Sequence, residues 1–236
     1  MTRLSVNINK IATLRNARGG NNPDIILAAK QIESFGAQGI TVHPRPDERH
    51  ITKKDVCDLK DEVTTEFNIE GFPDERYISI IEAVKPAQAT LVPDKPDQLT
   101  SNHGWNTVKD SEELKQIIER LKKTCRVSVF VDADCDMVKG AKDCGADRVE
   151  LYTQSYAENY LKDKDSAIKP FILAAECAKD LGLGLNAGHD LSLENLKYYY
   201  KMIPWTDEVS IGHALICDSL YLGLKETISR YLSCLR

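Results

Sequence analysis

Apolar positions along the 236-residue chain fall into two alternating kinds of run. The first kind is short and rich in β-branched residues: 4–9 ("LSVNIN"), 39–43 ("GITVH"), 67–71, 89–93, 126–132 ("RVSVFVD"), 148–153, 183–188 and 208–214. Such runs predict strands, and their nearly continuous apolar character predicts burial on both faces. The second kind spaces its apolar residues three and four apart, over 23–36, 52–63, 74–85, 111–123, 135–145, 167–182, 192–203 and 218–235. That spacing predicts amphipathic helices. Thr52, Ser111 and Ser192 stand where N-caps are expected, and "FGAQG", "CGAD" and "LGLG" supply helix-ending glycines.

Eight strand–helix units in 236 residues predict a single (β/α)₈ TIM barrel over 1–236, an α/β fold with extra helical and loop insertions. The rival is a doubly wound sheet. It would reverse its strand order and carry a GxGxxG turn after the first strand, and nothing marks either feature. The segments 13–24 ("TLRNARGGNNPD") and 94–110 read as polar loops, the second long enough for a lid or binding loop.

Composition narrows the function classes. A hydrophobic fraction of 42% and a charged fraction of 28% are ordinary for a soluble globular protein. A formal net charge of −5 argues against a general nucleic-acid binder while leaving room for local cations that hold a small anion. No apolar run approaches the roughly 18 residues of a membrane span, and "MTRLSVNINK" has no signal-peptide organisation. The seven cysteines are scattered without a CxxC, which favours reduced thiols in a cytoplasmic protein over disulfides or zinc. No HxH or HExxH pair occurs, so no metal is expected.

In a barrel of this kind the chemistry lies at the carboxyl ends of the strands. Those ends carry Asn7, Asn9 and Lys10; His43, Arg45 and His50; Glu70; Thr100 in the long fourth loop; Glu150; Gly188-His189; and Gly212-His213. Four of the five histidines therefore fall at strand ends. "HPRPDERH" combines titratable imidazoles with guanidiniums suited to phosphate, although Arg49 also reads as solvent-facing. Glu70 and Glu150 sit in apolar strand ends, where burial would make a carboxylate a proton acceptor; pairing with a cation inside the barrel is the alternative. "NAGHD" and "IGHAL" place glycine before histidine at the last two strands, where barrels often hold phosphate on backbone N–H groups.

With these residues in view the chain resembles the pyridoxine 5′-phosphate synthase family, through "VNINKIATLRNARG", "GAQGITVHPRPDERHI", "NIEG", "LVPDKPDQLT", "VSVFVDAD", "NAGHDL" and "IGHALI". The resemblance implies condensation of 1-deoxy-D-xylulose 5-phosphate with 3-amino-2-oxopropyl phosphate, without metal or organic cofactor, by a cytoplasmic homo-octamer. It implies His43 and Glu70 as proton acceptors and His189 as proton donor. Asn7, Arg18, the backbone at Asp190, Gly212 and His213 would hold the aminoketone phosphate; Arg45, His50 and Thr100 would hold the sugar phosphate. Two positions depart from the family pattern: Asn9-Lys10 replaces Asp-His, and Asp190 replaces glycine. A Schiff-base aldolase using Lys10, or a non-catalytic phosphate-ester-binding barrel, are the competing functions.

Overall fold

The computed structural model describes residues 1–94 and 101–236. Eight parallel strands close into a barrel in sequence order: β1 (Arg3–Asn7), β2 (Gly39–Val42), β3 (Glu66–Gly71), β4 (Gln88–Leu91), β5 (Arg126–Val131), β6 (Arg148–Tyr152), β7 (Gly184–Gly188) and β8 (Glu208–Ile211). The ring closes where Leu4 pairs with Val209 and Val6 with Ile211. Among the described residues the helices are α1 (Asn9–Asn16), α2 (Ile25–Ser34), α3 (Lys53–Lys60), α4 (Glu75–Val84), α5 (Ser111–Leu121), α6 (Cys135–Asp143), α7 (Gln154–Asp180), α8 (Leu196–Met202), α9 (His213–Leu222) and α10 (Leu224–Cys234).

Each strand alternates two buried layers. Leu4, Val6, Ile40, Val42, Ile69, Leu91, Val129, Leu151, Ala187 and Val209 join the apolar core. The intervening Ser5, Thr41, Asn68, Thr90, Ser128, Asn186 and Ser210 are equally buried but polar. Some of them pair across strands: Ser5 Oγ lies 2.7 Å from Thr41 Oγ1, and Thr90 Oγ1 donates to Asn68 Oδ1 at 2.9 Å, whereas Ser128 Oγ and Asn186 Nδ2 have no partner among the described residues. Burial on both faces is thus as expected, while one of the two faces is polar.

Several boundaries differ from the sequence expectation. Residues 9–16 form a helix and not a strand end plus loop; α1 buries only Ile11, Ala12 and Arg15, too narrow an apolar stripe to be read beforehand. Thr52 caps α3 in a full capping box with Asp55. Ser111 does not cap α5, which starts after Asp110 without a side-chain cap bond. Ser192 does not cap either, since its N–H donates to Asn195 Oδ1 and α8 begins at Leu196. Helix α7 starts well before 167 and breaks at Asp163, whose φ of −158° is non-helical. The predicted 218–235 helix is two, divided at Gly223, where φ is +77°. No described helix is long and apolar enough to cross a membrane.

Candidate active site

The carboxyl ends of the strands surround a cavity of about 600 Å³, lined by polar side chains from β1, β2, β3, β6, β7 and β8 and their following segments. On the β1 side, Asn7 accepts the Asn9 N–H through Oδ1 at 3.0 Å and donates from Nδ2 to Glu70 at 3.3 Å. Asn9 in turn accepts the His43 backbone N–H at 2.9 Å. Its amide oxygen therefore fixes the backbone that carries the imidazole. Lys10, in the first turn of α1, is exposed and contributes an ammonium to the same wall.

After β2 the chain buries three charged or titratable side chains in succession: His43 (7% exposed), Arg45 (4%) and His50 (8%). Burial and then the Arg45 charge drive the His43 imidazolium well below the ordinary histidine range, with His50, Arg49 and Arg76 adding to the effect. His50 is pushed down to about 4, first by burial and then by Arg45, Lys10 and Arg49. Both rings are therefore neutral near pH 7. His50 Nδ1 accepts the Ile51 N–H at 2.9 Å, which leaves its proton on Nε2. Arg45 is held by Asp94, a buried carboxylate that also accepts the Ser101 hydroxyl at 2.7 Å.

Two carboxyl groups inside the cavity are held against ionisation. Burial, then repulsion from Asp94, raises Glu70 to about 8, opposed by the Arg45 charge and a hydrogen bond from Ser210. Burial likewise lifts Glu150 well above the carboxylate range, with Glu70 and Glu208 as further repulsions. Glu150 is 3% exposed, and its Oε2 has no hydrogen-bond partner among the described residues. A Cβ at Gly188 would come within 2.6 Å of Glu150 Oε1, so this glycine makes room for the carboxyl. Glu70 can thus switch between acid and base near neutral pH, while burial biases Glu150 towards its neutral form.

The β7 and β8 ends work differently. His189 adopts φ +86°, a left-handed conformation that is unusual for a residue with a side chain. Its Nδ1 lies 2.6 Å from Asp190 Oδ2, and Tyr152 packs edge-on at 5.1 Å. The carboxylate and the aromatic ring together fix the imidazole. Gly212 closes against β1: a Cβ there would sit 3.0 Å from Asn7 Cβ. It leads directly into α9, whose N-terminus has no side-chain cap bond and so offers its first N–H groups towards the cavity rim.

Of the residues singled out from sequence, Asn7, Asn9, Lys10, His43, Arg45, His50, Glu70, Glu150, His189, Asp190, Gly212 and His213 line this one cavity. Arg49, ambiguous from sequence, lines it as well. Arg18 does not: it is exposed in the turn after α1. Thr100 lies outside the described residues. Sequence reasoning missed Thr13, Val92, Ser101, Phe130 and Ser210 as lining residues. Ser210 lay within the predicted eighth strand, and its position two residues before Gly212 was the available signal. Among the described residues, no group of three or more His, Cys, Asp or Glu side chains is gathered as for a metal ion.

Fold and cavity define the class: a (β/α)₈ barrel protein with acid–base groups and cations at the carboxyl ends of its strands. Solved structures agree on the fold. Phosphoribosylanthranilate isomerase from Thermotoga maritima superposes with a TM-score of 0.63 at 13% identity, covering 100% of this chain and 98% of its own. Thiamine phosphate pyrophosphorylase from Pyrococcus furiosus gives 0.60 at 9%, covering 99% and 95%. Sequence relatives are far nearer. The chain is 59% identical to pyridoxine 5′-phosphate synthase of Bacteroides thetaiotaomicron, over 100% of both chains. It is 61% identical to the enzyme of the same name from Cytophaga hutchinsonii, over 98% of both. Residues 4–236 match the family described as "Pyridoxal phosphate biosynthesis protein PdxJ", and the chain belongs to that family.

Proposed function

We propose that this protein is a pyridoxine 5′-phosphate synthase, joining 1-deoxy-D-xylulose 5-phosphate to 3-amino-2-oxopropyl phosphate with release of inorganic phosphate and water. Full-length similarity to proteins of that name supports the reading. The observation that carries it structurally is the cavity's lining: neutral imidazoles and protonatable carboxyls together with cationic side chains and the Gly212-His213 turn.

The chemistry suits these groups. The aminoketone's own amine condenses with the sugar ketone, so the imine nitrogen comes from substrate and water leaves. Ring closure then requires protons to be taken from carbon and given to departing oxygens. His43 and Glu70 would accept protons, the first held neutral by burial and the second pushed up to about 8. His189, oriented by Asp190, is placed to donate one. Glu150, biased towards its protonated form by burial, can hydrogen-bond to oxygen that gains negative charge.

The family relationship supports a placement of the two substrates. Arg45 and His50, with Lys10 and Thr100, would hold the sugar phosphate. The Gly212-His213 turn with Asn7 and the backbone at Asp190 would hold the aminoketone phosphate retained in the product. Asp190 directs its carboxylate to His189, which leaves its backbone N–H for the anion. The reading also carries a transferase class, a cytoplasmic location, independence of added cofactors and assembly into a homo-octamer, each supported by the family relationship. A phosphate-ester binder without catalysis would have no use for two desolvated carboxyls.

The direct test is to supply the purified protein with both substrates and follow product by mass and ultraviolet absorbance. Pyridoxine 5′-phosphate and inorganic phosphate should appear in equal amounts. Turnover of the sugar phosphate alone, with a borohydride-trapped adduct on Lys10, would instead establish the aldolase reading.

A further inference from the structure

A buried ion pair between α1 and α3 takes no part in the chemistry above. Arg15, 7% exposed, donates from Nη1 and Nη2 to the two oxygens of Asp55 at 2.5 and 2.8 Å. Asp55 Oδ2 also accepts the N–H and hydroxyl of Thr52, at 2.8 and 2.9 Å. The capping box of α3 would be complete without Arg15, whose burial costs desolvation. The extra contacts that this guanidinium makes run to the cavity wall. Nη2 donates to the His50 carbonyl at 3.3 Å, and Nε donates to Asn16 Oδ1 at 2.9 Å. Asn16 Nδ2 then reaches the His50 carbonyl at 2.8 Å and the Arg49 carbonyl at 3.2 Å.

The side-chain bonds to the Arg49 and His50 carbonyls and to Thr52 therefore lead back to one guanidinium. The same helix presents Lys10 and Thr13 to the cavity, so α1 ties its own wall to that of His50. His50 needs such support because it follows β2 by eight positions and no strand holds it. Its Nδ1 is occupied by the Ile51 N–H, and only Nε2 remains for a ligand.

We propose that Arg15, Asn16 and Asp55 are positioning residues for the sugar-phosphate half of the site, acting through His50 by holding its backbone so that Nε2–H faces the substrate. This rests on the assignment of His50 to the sugar phosphate.

Asn16→Asp is the informative variant. It keeps the shape and can still accept from Arg15, but it cannot donate to the two carbonyls, and the residue is exposed, so the fold should survive. The KM for deoxyxylulose phosphate should rise about fivefold, the scale of one lost hydrogen bond, while the KM for the aminoketone phosphate stays within about twofold. Arg15→Lys, which keeps the charge but loses the fork, should show the same one-sided change. His50→Asn should also raise the sugar-phosphate KM, and adding Asn16→Asp to it should bring no further rise. If His50→Asn has its effect but Asn16→Asp has none, or if the two effects add in full, the positioning role is wrong while the site assignment stands. An equal rise in both KM values means a merely structural role. No effect from His50→Asn overturns the assignment of His50 and this proposal with it.

Discussion

The two ends of the barrel use the same residue types to opposite ends. At the floor, where the strands begin, Glu66 meets Arg126 in a close ion pair and Arg3 at 3.7 Å. Burial pushes this carboxyl up, but the Arg126 hydrogen bond and charge outweigh it, and the group ends below its ordinary value. Glu208, one layer in, is intermediate: burial outweighs Arg148 and Arg3 and raises it to about 7. At the mouth, burial raises Glu70 to about 8 and lifts Glu150 well above its ordinary value, and the Arg45 guanidinium beside them is already bound to Asp94. Pairing therefore makes a glutamate structural, and withholding the pair makes it reactive.

The largest effect that separates the two ends should be on turnover. Glu70→Gln and His43→Ala are each expected to lower kcat by roughly 10²-fold or more with the fold intact, whereas Glu66→Gln should leave kcat within about threefold. Steady-state assays with circular dichroism on the same samples check this. Near wild-type turnover for both mouth variants removes the acid–base assignment.

A smaller effect sharpens the picture within the mouth. Gly212→Val should weaken binding of the aminoketone phosphate more than tenfold, since its Cβ would press on Asn7 and block the backbone N–H groups. The sugar phosphate should bind almost as before. Calorimetric titration of each substrate measures this, and equal weakening of both speaks against two separate phosphate sites.

Next in size is Lys10. As an exposed cation on the cavity wall it should serve as a charge and not as a nucleophile. Lys10→Met is expected to raise the sugar-phosphate KM roughly tenfold with a lesser change in kcat, and Lys10→Arg should recover much of it. A folded but inactive arginine variant, together with a trapped imine in wild type, makes the lysine chemical.

The smallest expected effect is on stability. Glu70 binds its proton more tightly folded than unfolded, so its contribution is fully present below about 4.5 and is lost as pH rises towards 8. Glu66, depressed by Arg126, behaves oppositely: its contribution is present above about 4.5 and is lost as pH falls through its lower folded value. Glu70→Gln should therefore raise Tm by a few degrees at pH 8.5 and little at pH 5, and Glu66→Gln should lower it at both. Melting curves that show the reverse order exclude this assignment of charge.

What the sequence made legible follows the same physics. The eight strands could be read because their outer layer is apolar and strands alternate with periodic helices; the mouth followed because barrel chemistry has a fixed end. Helix α1 was hidden because its buried face includes Arg15, whose burial depends on Asp55 forty residues away. The first half of α7 was hidden because it buries only Tyr156 fully, too few apolar positions to show a period before Asp163. Candidate residues at strand ends converge, since strand register alone places them. Arg18 does not, because it sits beyond a helix whose direction no local pattern gave. Asp94 as the partner of Arg45 is likewise a contact between separate loops, invisible in either one.

The contrast between mouth and floor can be measured by carbon-13 NMR titration of the glutamate side-chain carboxyls in wild type, Glu70→Gln and Glu66→Gln. A resonance that titrates near 8 and is absent from Glu70→Gln, beside one that titrates below 4.5 and is absent from Glu66→Gln, is the expected result. If the Glu70 carboxyl ionises below 5 like that of Glu66, the mouth holds an ordinary paired carboxylate, and its role as the site's switching base is contradicted.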